Sequence, residues 1–197
     1  MVDKQRGLME TSLEQTQIRR FGPGETTLDL LPGDFILTHG NSWLGRLIRV
    51  GERLRFRGPD RRYTRWNHAA LLVDSDGGLI EADESGVHRA QISKYTAVEY
   101  YLVRIQASND ERTHAVQFAE WSLHQSFGWL NIISIALSLV TGIKLDLGLG
   151  SQETCSSLVA RSLEHAGKIM ETDPARAMPA DLAKQYYVEP PAANTPR

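Results

Sequence analysis

The feature that most restricts this chain is a strand–turn–strand unit near its middle. His68-Ala-Ala-Leu-Leu-Val-Asp74 is a short apolar run, Ser75-Asp76-Gly77-Gly78 is a turn sequence, and Leu79-Ile80-Glu81-Ala82 runs back. Two such runs around a glycine-containing turn read as a β-hairpin, and a hairpin commits its neighbours to an antiparallel sheet. Leu30-Leu31-Pro32-Gly33-Asp34 is a second turn, feeding the strand Phe35–Thr38, and Val98 to Ile105 is a further strand rich in Tyr and Val.

The second half reads as helical. Glu111 to about Ser126 has apolar positions 115, 116, 118, 119 and 123, and Gly128 breaks it. Trp129–Val140 is a second helix. Thr154 to His165 is a third, with Leu158, Val159, Leu163 and Ala166 on one face and Gly167 as its stop. A short amphipathic helix is expected from Ser42 to Val50, and residues 51–66 read as an Arg-rich loop. The fold class is therefore α+β: an antiparallel sheet or small barrel packed against helices. A length of 197 residues suits one domain. It divides into a polar, partly helical N-terminal arm at 1–27, the domain at 28–188 and a disordered tail at 189–197.

Composition excludes several function classes. The net charge is −2, so nucleic acid is not expected as a partner. The single cysteine cannot form an internal disulfide or a Cys-x-x-Cys zinc site. No HExxH, EF-hand or Cys/His cluster is present, so neither metal nor cofactor is expected. The polar N-terminus lacks a signal-peptide core, which predicts a cytoplasmic location; an extracellular target would need export by a non-classical route. Trp129 to Ile143 is apolar but contains Asn131, Ser134, Ser138 and Thr141. It is shorter than the roughly 20 apolar residues of a spanning helix. We read it as a helix beside the site mouth, compatible with peripheral membrane contact.

Cys155 opens the third helix, and that position carries chemistry. The first helical turn offers unpaired N–H groups and the positive end of the dipole, which favour thiolate over thiol and can hold an oxyanion. The bland alternative is a small packed core residue. A thiol nucleophile needs a base within hydrogen-bond reach. His165 lies ten residues along the same helix, about 15 Å away. His114 and His124 fall on a helix away from any strand end, and His88 follows a turn and reads as exposed. His39 stays open, while His68 begins the apolar strand of the hairpin. Glu81, on the paired strand, can orient an imidazole and stabilise its charged form. His39 and Asn67 are the next candidates for that third place.

These residues fall in a familiar order. Pro32-Gly33-Asp34-Phe35-Ile36-Leu37, Asn67-His68-Ala69-Ala70-Leu71-Leu72-Val73, Leu79-Ile80-Glu81-Ala82 and Gly86-Val87 resemble the permuted NlpC/P60 families. These are papain-like cysteine hydrolases of the YiiX/YaeF type, related to lecithin:retinol acyltransferase. Cys155-Ser156-Ser157-Leu158-Val159 resembles their nucleophile helix, and Met178-Pro179-Ala180-Asp181-Leu182 the segment that follows it. The resemblance covers about residues 30–187. It implies the permuted papain-like fold, with Cys155 as nucleophile, His68 as base and Glu81 as third polar residue. Glu153-Thr154 replaces the usual Tyr-Asp before the cysteine, which leaves Tyr63 as the candidate for an oxyanion-hole tyrosine.

The implied reaction is amide hydrolysis in a peptide or peptidoglycan stem through a thioester. A lipid acyl hydrolase or acyltransferase is the alternative within enzymes, and a non-catalytic binding module on the same fold is the alternative outside them. Residues 46–65 hold eight arginines against Glu52 and Asp60, interleaved with Tyr63 and flanked by Trp43 and Trp66. As a functional patch this is a substrate-binding lip for an anionic peptide, cell-wall or lipid substrate, with Trp43, Tyr63 and Trp66 in contact. As a structural one it is a solvated loop paired with acidic surface.

Overall fold

The structure, a computed structural model, describes residues 17–25, 29–39, 52–53, 55–127 and 152–190. Its centre is a six-stranded antiparallel sheet of order β1-β6-β2-β3-β4-β5. The strands are β1 (Gln17–Phe21), β2 (Phe35–Thr38), β3 (His68–Leu72), β4 (Gly78–Asp83), β5 (Gly86–Gln91) and β6 (Tyr100–Arg104). The helices are α1 (Asn109–Trp121), α2 (Cys155–His165) and α3 (Pro179–Gln185), with short 3-10 turns at Gly58–Arg65, Ile92–Tyr95 and Pro174–Arg176. A two-residue parallel pair, β7 (Ser126–Phe127) with β8 (Gln152–Glu153), leads the chain to α2. The architecture is thus mixed α and β, as the alternation of apolar runs predicts. Among the described residues no helix is long and apolar enough to cross a membrane.

Strand alternation gives the sheet two faces with different roles. Phe35, Leu37, Ala69, Leu71, Ile80, Ala82, Tyr101 and Val103 join Leu158, Val159 and Leu163 of α2 in the main core. Ile36, Ala70, Leu72, Leu79, Tyr100 and Leu102 point the other way and pack with Leu30 and Tyr95 in a smaller cluster. The Pro32-Gly33 turn is built for its place. Gly33 has φ +84, and a Cβ there would lie 3.3 Å from Arg112. Asp34, fully buried, accepts from Arg104 Nε at 3.0 Å, Arg112 Nη1 at 2.7 Å and the Ile105 amide at 3.2 Å, so one carboxylate ties β2 to β6 and α1. In the β3–β4 hairpin, Asp74 Oδ1 accepts from the amides of Asp76 and Gly78 and closes the turn.

Three expectations change. Gln17–Phe21, inside the stretch read as a partly helical arm, is an edge strand paired residue for residue with β6, so the sheet begins before residue 28. Its arginines are held by Asp29 and Glu99 rather than by a helix. Helix α1 stops at Trp121, short of Ser126, because His124 turns into the left-handed region at φ 68. There its amide reaches the Val87 carbonyl while the Val87 amide reaches that of Gln125, which draws the chain onto β5. Strand β5 itself was not anticipated, although Glu84-Ser85-Gly86 carries the turn chemistry that starts it. The helices expected at 42–50 and 129–140, the apolar stretch to 143 and the tail beyond 190 lie outside the described residues.

Candidate active site

Helix α2 begins at Cys155 because Thr154 caps it. The Thr154 side chain accepts from the Ser157 amide at 3.1 Å, and Ser157 Oγ accepts from the Thr154 amide at 2.7 Å, a reciprocal capping box. At the far end Gly167, φ +72, lets the Lys168 amide return to the Leu163 carbonyl at 2.9 Å. Ser156 anchors the first turn through Oγ to the Ala177 carbonyl at 2.6 Å. Cys155 is therefore fixed in the first turn, 3% exposed.

The thiol is hydrogen-bonded to the His68 imidazole. His68 Nε2 lies 2.9 Å from Glu81 Oε2, which leaves Nδ1 for the sulfur. His68 opens β3, and Ala70 pairs with Glu81 across the hairpin, so the His68 and Glu81 side chains share one sheet face. Burial works against the charge on His68, but the bonds to Cys155 and Glu81 override it and hold its pKa up at about 10. Burial likewise pushes the Cys155 thiol up, and here the His68 contact wins, together with backbone N–H contacts from Ala69 and Ser156; the thiol sits below its ordinary value. Burial would raise the Glu81 pKa too, but His68, Lys94 and Tyr95 bring it far below the usual carboxylate range. All three directions favour the charged forms: thiolate, imidazolium and carboxylate.

Glu81 is fully buried and has more partners than the sequence reading gave it. The Tyr95 hydroxyl donates to Oε2, the oxygen that also faces His68, and Lys94 Nζ donates to Oε1. His88 Nε2 stands 3.3 Å from Oε1, because His88 on β5 is the register partner of Glu81. The expectation that His88 is merely exposed is therefore corrected: its side chain is 32% exposed and reaches the site from β5. Tyr95 stacks on the His68 ring, centroids 6.0 Å apart and planes at 27°. Lys94 and Tyr95 were missed because they follow a strand that was missed. Glu81, Asp83 and His88 each place a ligand-type atom within 4.8 Å of the others. The Lys94 ammonium already bonds Glu81 and lies 3.9 Å from Asp83, so the chain itself supplies the positive charge there.

The proposed substrate-binding aromatics do not gather at this site. Trp66 is fully buried, donates Nε1 to the Val188 carbonyl at 3.1 Å and packs edge-on against Tyr101. Tyr63 is 2% exposed in the main core. Both are corrected to core residues: the 3-10 turn that carries Tyr63 points its arginines outward and its ring inward. Trp43 lies outside the described residues. Of the arginines in the patch, Arg55 pairs with Asp181 at 2.9 Å, Arg62 with Glu189 at 3.1 Å and Arg65 with Glu99 at 2.7 Å, which favours the structural reading of that patch. His39 is turned to the Arg65 carbonyl, 2.7 Å from Nδ1, and His165 stacks on Phe118. No family model matches this chain, and no curated protein matches it either.

Proposed function

We propose that this chain is a cysteine hydrolase of the papain-like class, with the permuted NlpC/P60 arrangement in which the base precedes the nucleophile in sequence. One observation carries the reading: a cysteine in the first turn of a helix, hydrogen-bonded to a histidine whose other ring nitrogen meets a fully buried glutamate. A structural cysteine needs none of these partners.

In the resting state the Cys155 thiolate faces the His68 imidazolium. The thiolate attacks the carbonyl carbon of an amide and forms the C–S bond. Backbone N–H groups of the first helical turn are the donors available to the resulting oxyanion. His68 gives its proton to the leaving nitrogen as the C–N bond breaks, leaving a thioester on Cys155 and a neutral imidazole. Water then attacks the thioester while His68 takes a water proton. The C–S bond breaks, the acid leaves, and the thiolate–imidazolium pair is restored. Glu81 holds the ring and balances its charge throughout.

Peptide and peptidoglycan-stem amides are the proposed substrates. Labelling with a thiol-directed acyl probe, followed by a panel of muropeptides and acyl lipids, tests the reading. Probe labelling that requires Cys155 and His68, with turnover of an amide, is the expected result. Turnover of acyl lipids alone would select the lipid hydrolase, and absence of labelling would refute the enzyme.

A further inference from the structure

The proposed cycle leaves a charge problem, and Lys94 answers it. Glu81 has no exposure, and a buried carboxylate is stable only with compensating partners. At rest the His68 imidazolium is one of them. Once His68 has given its proton to the leaving group, the ring facing Glu81 is neutral, and it stays so until water is activated. Through that interval the remaining donors are the Tyr95 hydroxyl on Oε2 and Lys94 Nζ on Oε1, with the His88 ring 3.3 Å from Oε1. Tyr95 carries no charge. Lys94 is the one fixed cation among the described groups in contact with Glu81.

We propose that Lys94 is a positioning residue for the second half of the reaction: its ammonium offsets the Glu81 charge while His68 is neutral, so that His68 remains free to take the proton of the attacking water. The proposal rests on the cysteine-hydrolase reading and deepens it. The physical reason is proton affinity. With Lys94 present, Glu81 is shared between two positive groups, and the His68–Glu81 pair holds an extra proton less tightly. Without it, the unshared carboxylate favours imidazolium in the thioester state, and a protonated His68 cannot act as base.

The charged and titratable groups around the pair are Cys155 from α2, Asp83 and Glu81 from β4, His88 from β5, and Lys94 and Tyr95 from the 3-10 turn; Glu52 acts on Cys155 from a distance. Asp83 lies 3.9 Å from Lys94 and 3.6 Å from His88 and so draws on both cations. The Lys94 side chain is 49% exposed, which screens its effect and makes its ammonium removable without opening the core.

The test uses p-nitrophenyl acetate as acyl donor. Thiolate attack breaks its ester C–O bond, releases p-nitrophenolate and leaves acetyl-Cys155; water then yields acetate. Lys94→Met keeps the stem and removes the charge, and Lys94→Arg keeps the charge. We expect a full burst of nitrophenolate in all three proteins. In Lys94→Met the steady-state rate at neutral pH should fall about tenfold, with the acid limb of deacylation moved up by about one pH unit, and Lys94→Arg should restore both. A wild-type deacylation limb in Lys94→Met would overturn the proposal. A second measurement needs no turnover: in Cys155→Ala, the His68 titration followed by NMR should move to higher pH when Lys94→Met is added. If the wild type shows neither a burst nor turnover, the hydrolase reading falls and the deacylation role falls with it. The NMR shift then separates that failure from an error about Lys94, since an unmoved His68 would mean that Lys94 does not act on the pair at all.

Discussion

Replacing Glu81 with glutamine tests the proposed triad at its most enclosed point. The side chain keeps its volume, and its carbonyl oxygen can still accept from His68 Nε2 and the Tyr95 hydroxyl, the two donors now on Oε2. Its NH2 group then faces the Lys94 ammonium, donor against donor, and Lys94, half exposed, turns to solvent. What is lost is the charge. An opposite charge at hydrogen-bond distance moves a pKa by about 1–3 units, and full enclosure of Glu81 places the effect near the middle or top of that range. His68, held at about 10 in the native site, should therefore fall by about two units. The sign is fixed: removing an anion weakens the imidazolium, so the alkaline limb of kcat/KM for acylation moves down and the ion-pair window narrows from that side. The imidazolium belongs to the cycle and not to substrate binding, so kcat should fall on the order of ten- to a thousand-fold while KM changes little. The assay is kcat and KM for the amide found in the substrate panel, across pH, with circular dichroism to confirm folding. A variant with wild-type kcat and an unmoved alkaline limb would refute the role of Glu81.

Cys155→Ala should abolish acyl-probe labelling and turnover while changing stability by less than about 1 kcal/mol in urea unfolding, because a small side chain at a helix start carries little packing. Asp34→Ala should cost about 3–5 kcal/mol in the same assay, since it strands the guanidinium groups of Arg104 and Arg112 around an emptied acceptor. Trp66→Ala should cost about 3–5 kcal/mol, and the milder Trp66→Phe should leave KM unchanged; a raised KM without loss of stability would return Trp66 to the substrate surface.

The parts of the site that were legible in the sequence are those marked by local chemistry. Thr154 and Ser157 announce the start of α2, which fixes the cysteine in its first turn. The Asp74–Gly78 turn announces the hairpin that sets His68 near Glu81. The parts that were not legible depend on pairing at a distance. His88 reaches Glu81 only through the β4–β5 register, and Lys94 and Tyr95 follow from where β5 ends. Strand β1 has a weak apolar pattern and exists because β6 offers it an edge. Tyr63 and Trp66 misled because aromatic side chains among arginines look like a binding surface, while their rings face the core and only the charges face water.

The two faces of the sheet have a consequence for when the proposed site can form. His68 and Glu81 share the alternation of Ala70, Leu72 and Leu79, whereas Cys155 arrives with α2, whose Leu158, Val159 and Leu163 pack in the main core on the other face; thiol and imidazole meet where β3 begins. Neither layer alone holds a working thiol. During synthesis the six sheet strands emerge first and Cys155 much later, so a growing or half-docked chain lacks the Cys155–His68 pairing. Docking of α2 against the sheet is then the step that completes the proposed site, and thiol reactivity at Cys155 becomes a direct reporter of finished folding.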